Sequence, residues 1–477
     1  MIRTPVPIVT HGVQTGDVGD RRATIWARCN EPARMVVEYA TTASFAQARR
    51  VAGAVVGPDR DHTGELTLTD LPMGERVSYR VRFEREADRG ASAWVSGSFA
   101  TPRADKVRFA WSGDTCGQGY GRNPDFGGLV GYKTLRAREP DFFLHSGDLI
   151  YADNPILAEQ KTPDGRIWRN VTNERVGRVA QELDDFRARF AYNYEDEHVR
   201  ALAADVSILA AWDDHETHNN WWPGQTLDDA RYTRERDATK LAAMAMRATR
   251  EWTPIRGPSI HRVISYGPLL DVFVVDLRSW RTPNDANRGE GAMLGMEQAA
   301  WLLGALARSQ ARWKIIACDQ PISLVIGDGP GDARQEGYAN GAAAGLPPAG
   351  REKELRDLLA GIDRDAIDRV VWLTADVHYA AHHHYDPARA NTPFRAFHEF
   401  VAGPIHAGTF GPNELDPTFG PELKFQWAPS PGTGNLAPWD GLQSFGVVDI
   451  TADAMRVSLV GAIDGRERYA IDLPAMR

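Results

Sequence analysis

The chain has 477 residues, 43% hydrophobic and 25% charged, a globular composition that excludes disordered, collagen-like and coiled-coil classes and is long enough for about two to three domains. Its formal charge is −9, from 55 Lys+Arg against 64 Asp+Glu, and no Lys/Arg run could track a phosphate backbone, which argues against polymeric nucleic acid as a partner. A small anionic substrate stays open if cations screen it.

Met1-Ile-Arg-Thr-Pro-Val-Pro7 lacks the basic-then-apolar pattern of an export signal, and apolar stretches such as Leu269 to Leu277 are too short and too interrupted to span a bilayer. Cys29, Cys116 and Cys318 are odd in number and scattered, so they form no disulfide framework and leave the compartment undecided. From about His11 to Pro102, short alternating runs between Gly, Pro and Asp clusters predict a β-sandwich, with Leu66 to Val81 resembling the tyrosine corner of fibronectin III and immunoglobulin-like domains around Tyr79. Residues 1–102 therefore read as a small scaffold domain and residues 103–477 as a second domain.

Beyond Arg103, strand candidates (Val107 to Trp111, Asp141 to His145, Val206 to Ala211, Leu269 to Val275, Trp313 to Ala317, Val370 to Leu373, Glu399 to Ala402) alternate with helical stretches at Thr134 to Arg138, Glu182 to Tyr192, Arg231 to Arg250 and Glu297 to Arg308. That alternation predicts a layered α/β arrangement. Ser444 to Leu459 and Arg466 to Leu473 return to two-fold alternation and predict edge strands, while the Gly/Pro-rich segment from about Gly327 to Gly350 predicts a long surface loop.

Five of the strand candidates end in acids or histidines: Asp114 with Cys116, Asp148 with Tyr151, Asp213-Asp214-His215-Glu216, Asp319, and Asp376 with His378. Open α/β sheets bind ligands at the carboxyl ends of their strands. Carboxylates gathered there repel one another, and bound cations are the economical remedy. Each aspartate alone reads as a turn or helix-cap residue; together with His215 and His378 they read as a metal site.

Asp148-Leu-Ile-Tyr151 resembles the Gly-Asp-x-x-Tyr motif of calcineurin-like metallophosphoesterases. Asp213-Asp-His-Glu stands where that superfamily has Gly-Asn-His-Glu, Asp319-Gln-Pro where it has His-x-Pro, and Asp376-Val-His378 where it has Gly-His-x-His. Oxygen ligands in place of nitrogen favour Ca²⁺, Mn²⁺ or ferric iron over zinc. With His11-Gly-Val-Gln-Thr-Gly-Asp17, Asn219-Asn220 and Val275-Asp-Leu-Arg278 in the same order, the pattern resembles the alkaline phosphatase D (PhoD-like) family over nearly the whole chain.

That resemblance implies an α/β (α+β) fold, a fibronectin III-like sandwich followed by a four-layer α/β/β/α metallophosphoesterase domain. It implies hydrolysis of phosphomonoesters or phosphodiesters, a periplasmic or secreted location, and two or more metal ions, Ca²⁺ and Fe³⁺, with Mn²⁺ or Zn²⁺ as alternatives. Asp114, Cys116, Asp148, Tyr151, Asp214, Asp319, Asp376 and His378 are the candidate ligands, and either Asp114 or Cys116 can be the first-motif ligand. Two cations about 4 Å apart would acidify a bridging water and stabilise an in-line displacement. His215, with Asp213 and Arg278, is the catalytic candidate, and Asn219, Arg278 and Arg281 are candidates for holding the phosphate. The competing reading is an inactive phosphatase-like binding or adhesion protein.

The remaining features read blandly. His382-His-His384 reads as a solvated rim, Cys318 as a buried hydrophobe, His406 as pocket-lining or a loop histidine, Trp221-Trp222 as pocket wall or core seal, and Gly117 to Gly121 as tight turning beside the metals.

Overall fold

Along the strands Leu270–Val274, Trp313–Ala317 and Val370–Thr374, successive side chains point to opposite faces. Val272, Val274, Ile315, Ala317, Val371 and Leu373 enter one core, while Phe273, Ile316 and Trp372 enter another with Leu302, Leu306, Leu355 and Ile362 of the helices Gly295–Arg308 and Glu352–Arg364. Buried on both faces, these strands read as continuous apolar runs. The computed structural model of the chain describes residues 6–284, 289–329, 334–341 and 345–475.

These three strands sit in a seven-stranded sheet ordered Arg262–Ser265, Leu270–Val274, Trp313–Ala317, Val370–Thr374, Phe397–Val401, Ala380–Tyr385 and Pro421–Trp427. Against it packs a nine-stranded sheet whose centre is Lys106–Ser112, Phe142–His145 and Ser207–Ala210, all parallel. Trp111 Nε1 donates across the interface to the Thr374 carbonyl at 3.2 Å, and Phe142 meets Tyr266 with ring centroids 4.9 Å apart. Helices Val130–Arg136, Leu183–Tyr194, Glu197–Asp205 and Ala238–Trp252 pack on the nine-stranded sheet's side, completing the α/β/β/α order. Among the described residues no helix is long and apolar enough to cross a membrane.

The amino-terminal strands do not form a closed unit. Val9–Gly19, Arg22–Cys29 and Thr63–Leu68 extend the nine-stranded sheet, with Gly16 in parallel register with Ile208, and only Arg49–Val56, Ala33–Ala40, Arg76–Glu84 and Val95–Ala100 form a separate four-stranded sheet. The sheet that carries Lys106–Ser112 thus runs on into the amino-terminal strands. Gly16 permits this join, because a Cβ there would lie 2.2 Å from the Pro254 carbonyl oxygen.

Several expectations change. Tyr79 is buried, but its hydroxyl faces the Thr15 side chain, and no backbone tie of the tyrosine-corner kind is found among the described residues. Helix 238–252 begins only after Asp237, whose carboxylate accepts from the Thr239 and Lys240 amides, so Arg231 to Arg236 are not helical. The histidine triplet lies inside a strand flanked on both sides, which buries His382 and His383 in place of a solvated rim. His382 bonds Tyr469 Oη and His398 Nδ1, and His383 bonds Glu399. Within 327–350 the described stretch Gln335 to Asn340 contains buried side chains, including Glu336, so it is no simple surface loop.

Candidate metal centre

Asp114, Asp148, Asp213, Asp214, Asp319 and Asp376 each follow the carboxyl end of a strand, and the two facing sheets bring those ends together. Asp114, Asp148, Asp376 and His378 all adopt positive φ, between 53° and 70°. Non-glycine residues hold that conformation only where their surroundings force it, a strain that concentrates at functional sites. The main chain locks the turns together: the Asp114 amide donates to the Gly147 carbonyl, the Thr115 amide to that of Asp148, and the His215 amide to Asp148 Oδ1.

Three overlapping sets of donor atoms result: Asp114, Asp148 and His378; Asp148, Asp214 and His215; Asp213, Asp214 and Asp376. Within each set the donor atoms lie no more than 4.8 Å apart. Asp148 joins the first two sets and Asp214 the last two. Asp114 Oδ2, Asp148 Oδ2 and Asp214 Oδ1 are buried without a hydrogen-bond partner. Unpaired carboxylate oxygens in a dry interior are expensive, and a cation is the partner that satisfies several at once, so the donors present fit metal ions.

Tyr151 lies beside the first set. Its hydroxyl lies 3.1 Å from Asp114 Oδ1 and 3.0 Å from His378 Nε2, and its ring packs over Gly117, where a Cβ would fall 2.5 Å from the phenol carbon. His378 Nδ1 donates to the Gly408 carbonyl, which only accepts, and its Nε2 faces Asp114 Oδ1 at 3.1 Å. Burial and the Asp114 and Asp148 carboxylates push the Tyr151 phenol well above its ordinary range. Burial and the neighbouring Asp213 and Asp214 do the same to Asp148. Cys116 stands apart, in the hydrophobic core with its thiol pushed up by burial, and belongs to none of the three sets. Of the two first-motif candidates, the geometry brings Asp114 to the cluster.

Arg278 is fully buried. Its guanidinium pairs with Asp213 and Glu336, comes within 3.4 Å of Asp319 and within 4.0 Å of Asp214. Burial opposes its charge, but these carboxylates hold the guanidinium well above its usual range. It is thus a built-in cation for one wing of the cluster, walled off from a substrate phosphate. Arg281 is likewise buried, donating to the Glu336 carbonyl. Asp319 lies on this arginine wing and joins no candidate ion set among the described residues. Burial and Asp213 push its carboxyl well upward.

His215 stacks on Tyr151 with centroids 4.2 Å apart, its Nδ1 is 2.7 Å from Asp153 Oδ1, and its Nε2 is 3.9 Å from Asp214 Oδ1. Burial disfavours its charge, yet Asp153 and Asp214 outweigh burial and raise the imidazole to about 10. Asp153, overlooked in the sequence, is held in turn by the Asn219 amide at 2.9 Å. The Asn219 side chain is exposed and lines, with Gln118, His215, His218, Arg231 and Phe410, a cleft of about 630 Å³ at the site. Glu336 was also missed, and Glu216, read in the Asp213-Asp214-His215-Glu216 motif, was given no role. Glu216 accepts from the Leu149 and Asp213 amides at 2.5 and 2.8 Å, bracing two of the strand-end turns. His406 is buried, its Nε2 bonded to the Gly121 carbonyl while its Nδ1 has no partner among the described residues, and Trp221 seals the core against Trp212.

Two packed sheets flanked by helices, with an acid–histidine cluster at the strand ends, define a layered α/β/β/α protein whose donor groups fit metal ions. A family model described as PhoD-like phosphatase matches residues 109–459, and one for the PhoD-like phosphatase N-terminal domain matches residues 3–102. The chain belongs to the PhoD-like phosphatase family and is a phosphoric ester hydrolase. Alkaline phosphatase D of Bacillus subtilis (strain 168) is 25% identical over 434 residues, covering 84% of this chain and 70% of that protein. Among solved structures, one titled "Structure of PhoD" aligns at a TM-score of 0.71 and 18% identity over 97% of this chain and 88% of that one. Purple acid phosphatase PPD1 from yellow lupin (Lupinus luteus) seeds aligns at 0.63 and 13% over 98% and 74%.

Proposed function

We propose that the chain hydrolyses small phosphomonoesters or phosphodiesters with water as nucleophile, using ions held by Asp114, Asp148, Tyr151 and His378 on one side and by Asp213, Asp214 and Asp376 on the other. When bound, such ions neutralise phosphoryl charge and acidify water. The donor sets contain oxygen and imidazole nitrogen but no thiolate, which suits hard cations; carboxylates favour Ca²⁺, and a phenolate from Tyr151 favours ferric iron. Asp153 accepts the Nδ1 proton of His215 and keeps the ring protonated, so that Nε2–H can be passed to the departing ester oxygen. Asn219 stands at the cleft where the phosphate would enter, and Arg278 acts from within by fixing Asp213 and Glu336.

The observation that carries this reading is the buried, unpaired oxygens of Asp114, Asp148 and Asp214 at one locus. Release of p-nitrophenol from p-nitrophenyl phosphate and bis-p-nitrophenyl phosphate, before and after chelation and after readdition of Ca²⁺, Fe³⁺, Mn²⁺ or Zn²⁺, tests it. Chelator-sensitive release from at least one ester is expected. No metal-dependent release from either would overturn the reading in favour of a binding protein.

A further inference from the structure

A cleft of about 1030 Å³ lies at the opposite end of the central strands from the acid cluster. Its floor includes Lys106, Val107 and Arg108 at the start of the strand that leads to Asp114, which places it roughly 20 Å from the metal site at about 3.3 Å per residue. The chain as a whole carries −9, yet this cleft is a positive island. Arg103, Lys106 and Lys133 line it without an ion pair among the described residues, and Arg76 donates only to Ser98 Oγ and the Asp205 carbonyl. Arg136 and Arg108 are already taken by Asp205 and Asp449. Asp141, which feels Arg103, Arg76 and Lys106, and Glu139 face these four cations, leaving the cleft with an excess of positive charge.

We propose that this cleft binds a linear phosphate polymer of the inorganic polyphosphate type. The four cations come from different segments and, Arg103 apart, are well exposed, which is a poor cage for one phosphate ion but suits a multivalent chain held by charge and counterion release. None of the lining residues is aromatic, so bases would find no stacking platform, and a chain without bases is favoured over single-stranded nucleic acid. This binding does not depend on the hydrolytic reading of the metal centre.

The test is titration of the full-length, metal-loaded protein with fluorescently labelled inorganic polyphosphate at several salt concentrations, with orthophosphate, polyglutamate and oligo-deoxythymidine as competitors. Four neutralised phosphates predict a log–log salt slope of about −3. The combined variant Arg103→Glu, Lys106→Glu, Lys133→Glu should bind at least tenfold more weakly while p-nitrophenyl ester turnover is unchanged, and Asp148→Asn should bind as the parent does. If the combined variant fails to fold, Lys106→Gln with Lys133→Gln decides, with a severalfold loss expected. Unchanged binding in the cleft variants, or its loss in Asp148→Asn, overturns the proposal. So does equal binding of polyglutamate or oligo-deoxythymidine.

Discussion

Replacing Asp148 with Asn should have opposite effects on stability and activity. Asp148 shares donor sets with Asp114 and with Asp214 inside 4.8 Å, and two like charges at that separation repel by about 3 kcal/mol at an effective dielectric near 20. Without metal, the carboxyl relieves that repulsion by holding a proton, so its burden at pH 8 is bounded by the work of protonating an ordinary carboxyl, about 5.6 kcal/mol. Asn keeps the Oδ1 acceptor for the His215 amide and removes the charge. The metal-free variant should therefore be more stable by about 2–5 kcal/mol, or about 2–5 °C in Tm, taking roughly 1 kcal/mol/K for the unfolding entropy of a chain this long. Because burial and its neighbours raise the folded-state carboxyl, the native state holds a proton that the unfolded state releases, so the advantage grows as pH rises above about 4 and shrinks as pH falls. Activity should drop at least ~100-fold through lost metal affinity. Differential scanning fluorimetry in chelator at pH 6 and pH 8, with ester turnover in metal, checks both. A metal-free variant that melts lower than the parent and still turns over substrate would refute the reasoning.

Asp153→Asn should lower kcat about 10–100-fold. Asp153 helps hold the His215 proton, so the alkaline limb of the pH–rate profile should move to lower pH; a profile that keeps its shape would make Asp153 merely structural. Arg278→Met strands Asp213 and Glu336 without their cation and should cost about 3–5 kcal/mol, read as a lower Tm; an unchanged Tm with a raised KM would instead make Arg278 a substrate contact. Burial lowers His406 to about 4. Its folded-state value lies below the unfolded one of about 6.5, so the unfolded chain binds the extra proton and stability is lost as pH falls from about 6.5 to 4. His406→Gln should flatten that loss by up to ~1.4 kcal/mol per pH unit, measured by denaturant melts across the window.

The strand-end acids were legible because each follows a short apolar run, and that local pattern survives folding unchanged at Asp114, Asp148, Asp214 and Asp376. Pairings across the fold were not legible. Glu336 sits in a Gly/Pro-rich stretch that reads as solvent-exposed, yet it packs on Arg278, 58 residues distant in sequence. The same holds for Arg278, whose type suggests phosphate recognition until four surrounding carboxylates are seen. Asp153 lay two residues beyond Tyr151 with no spacing rule to mark it. Helix 352–364 could have been read, since Leu355, Leu358, Leu359 and Ile362 recur at helical spacing and are all buried. The continuity of the amino-terminal strands with the catalytic sheet depends on register between Gly16 and Ile208, which no local pattern encodes.

The central claim is that carboxylates distant in sequence share one place because multivalent ions hold them there. Elemental analysis of the protein purified without added metal, then dialysed against chelator and reloaded, measures this directly. About two or more multivalent ions per chain, lost on chelation together with turnover and restored with it, is the predicted result. A fully active protein holding fewer than about one ion per chain would contradict it.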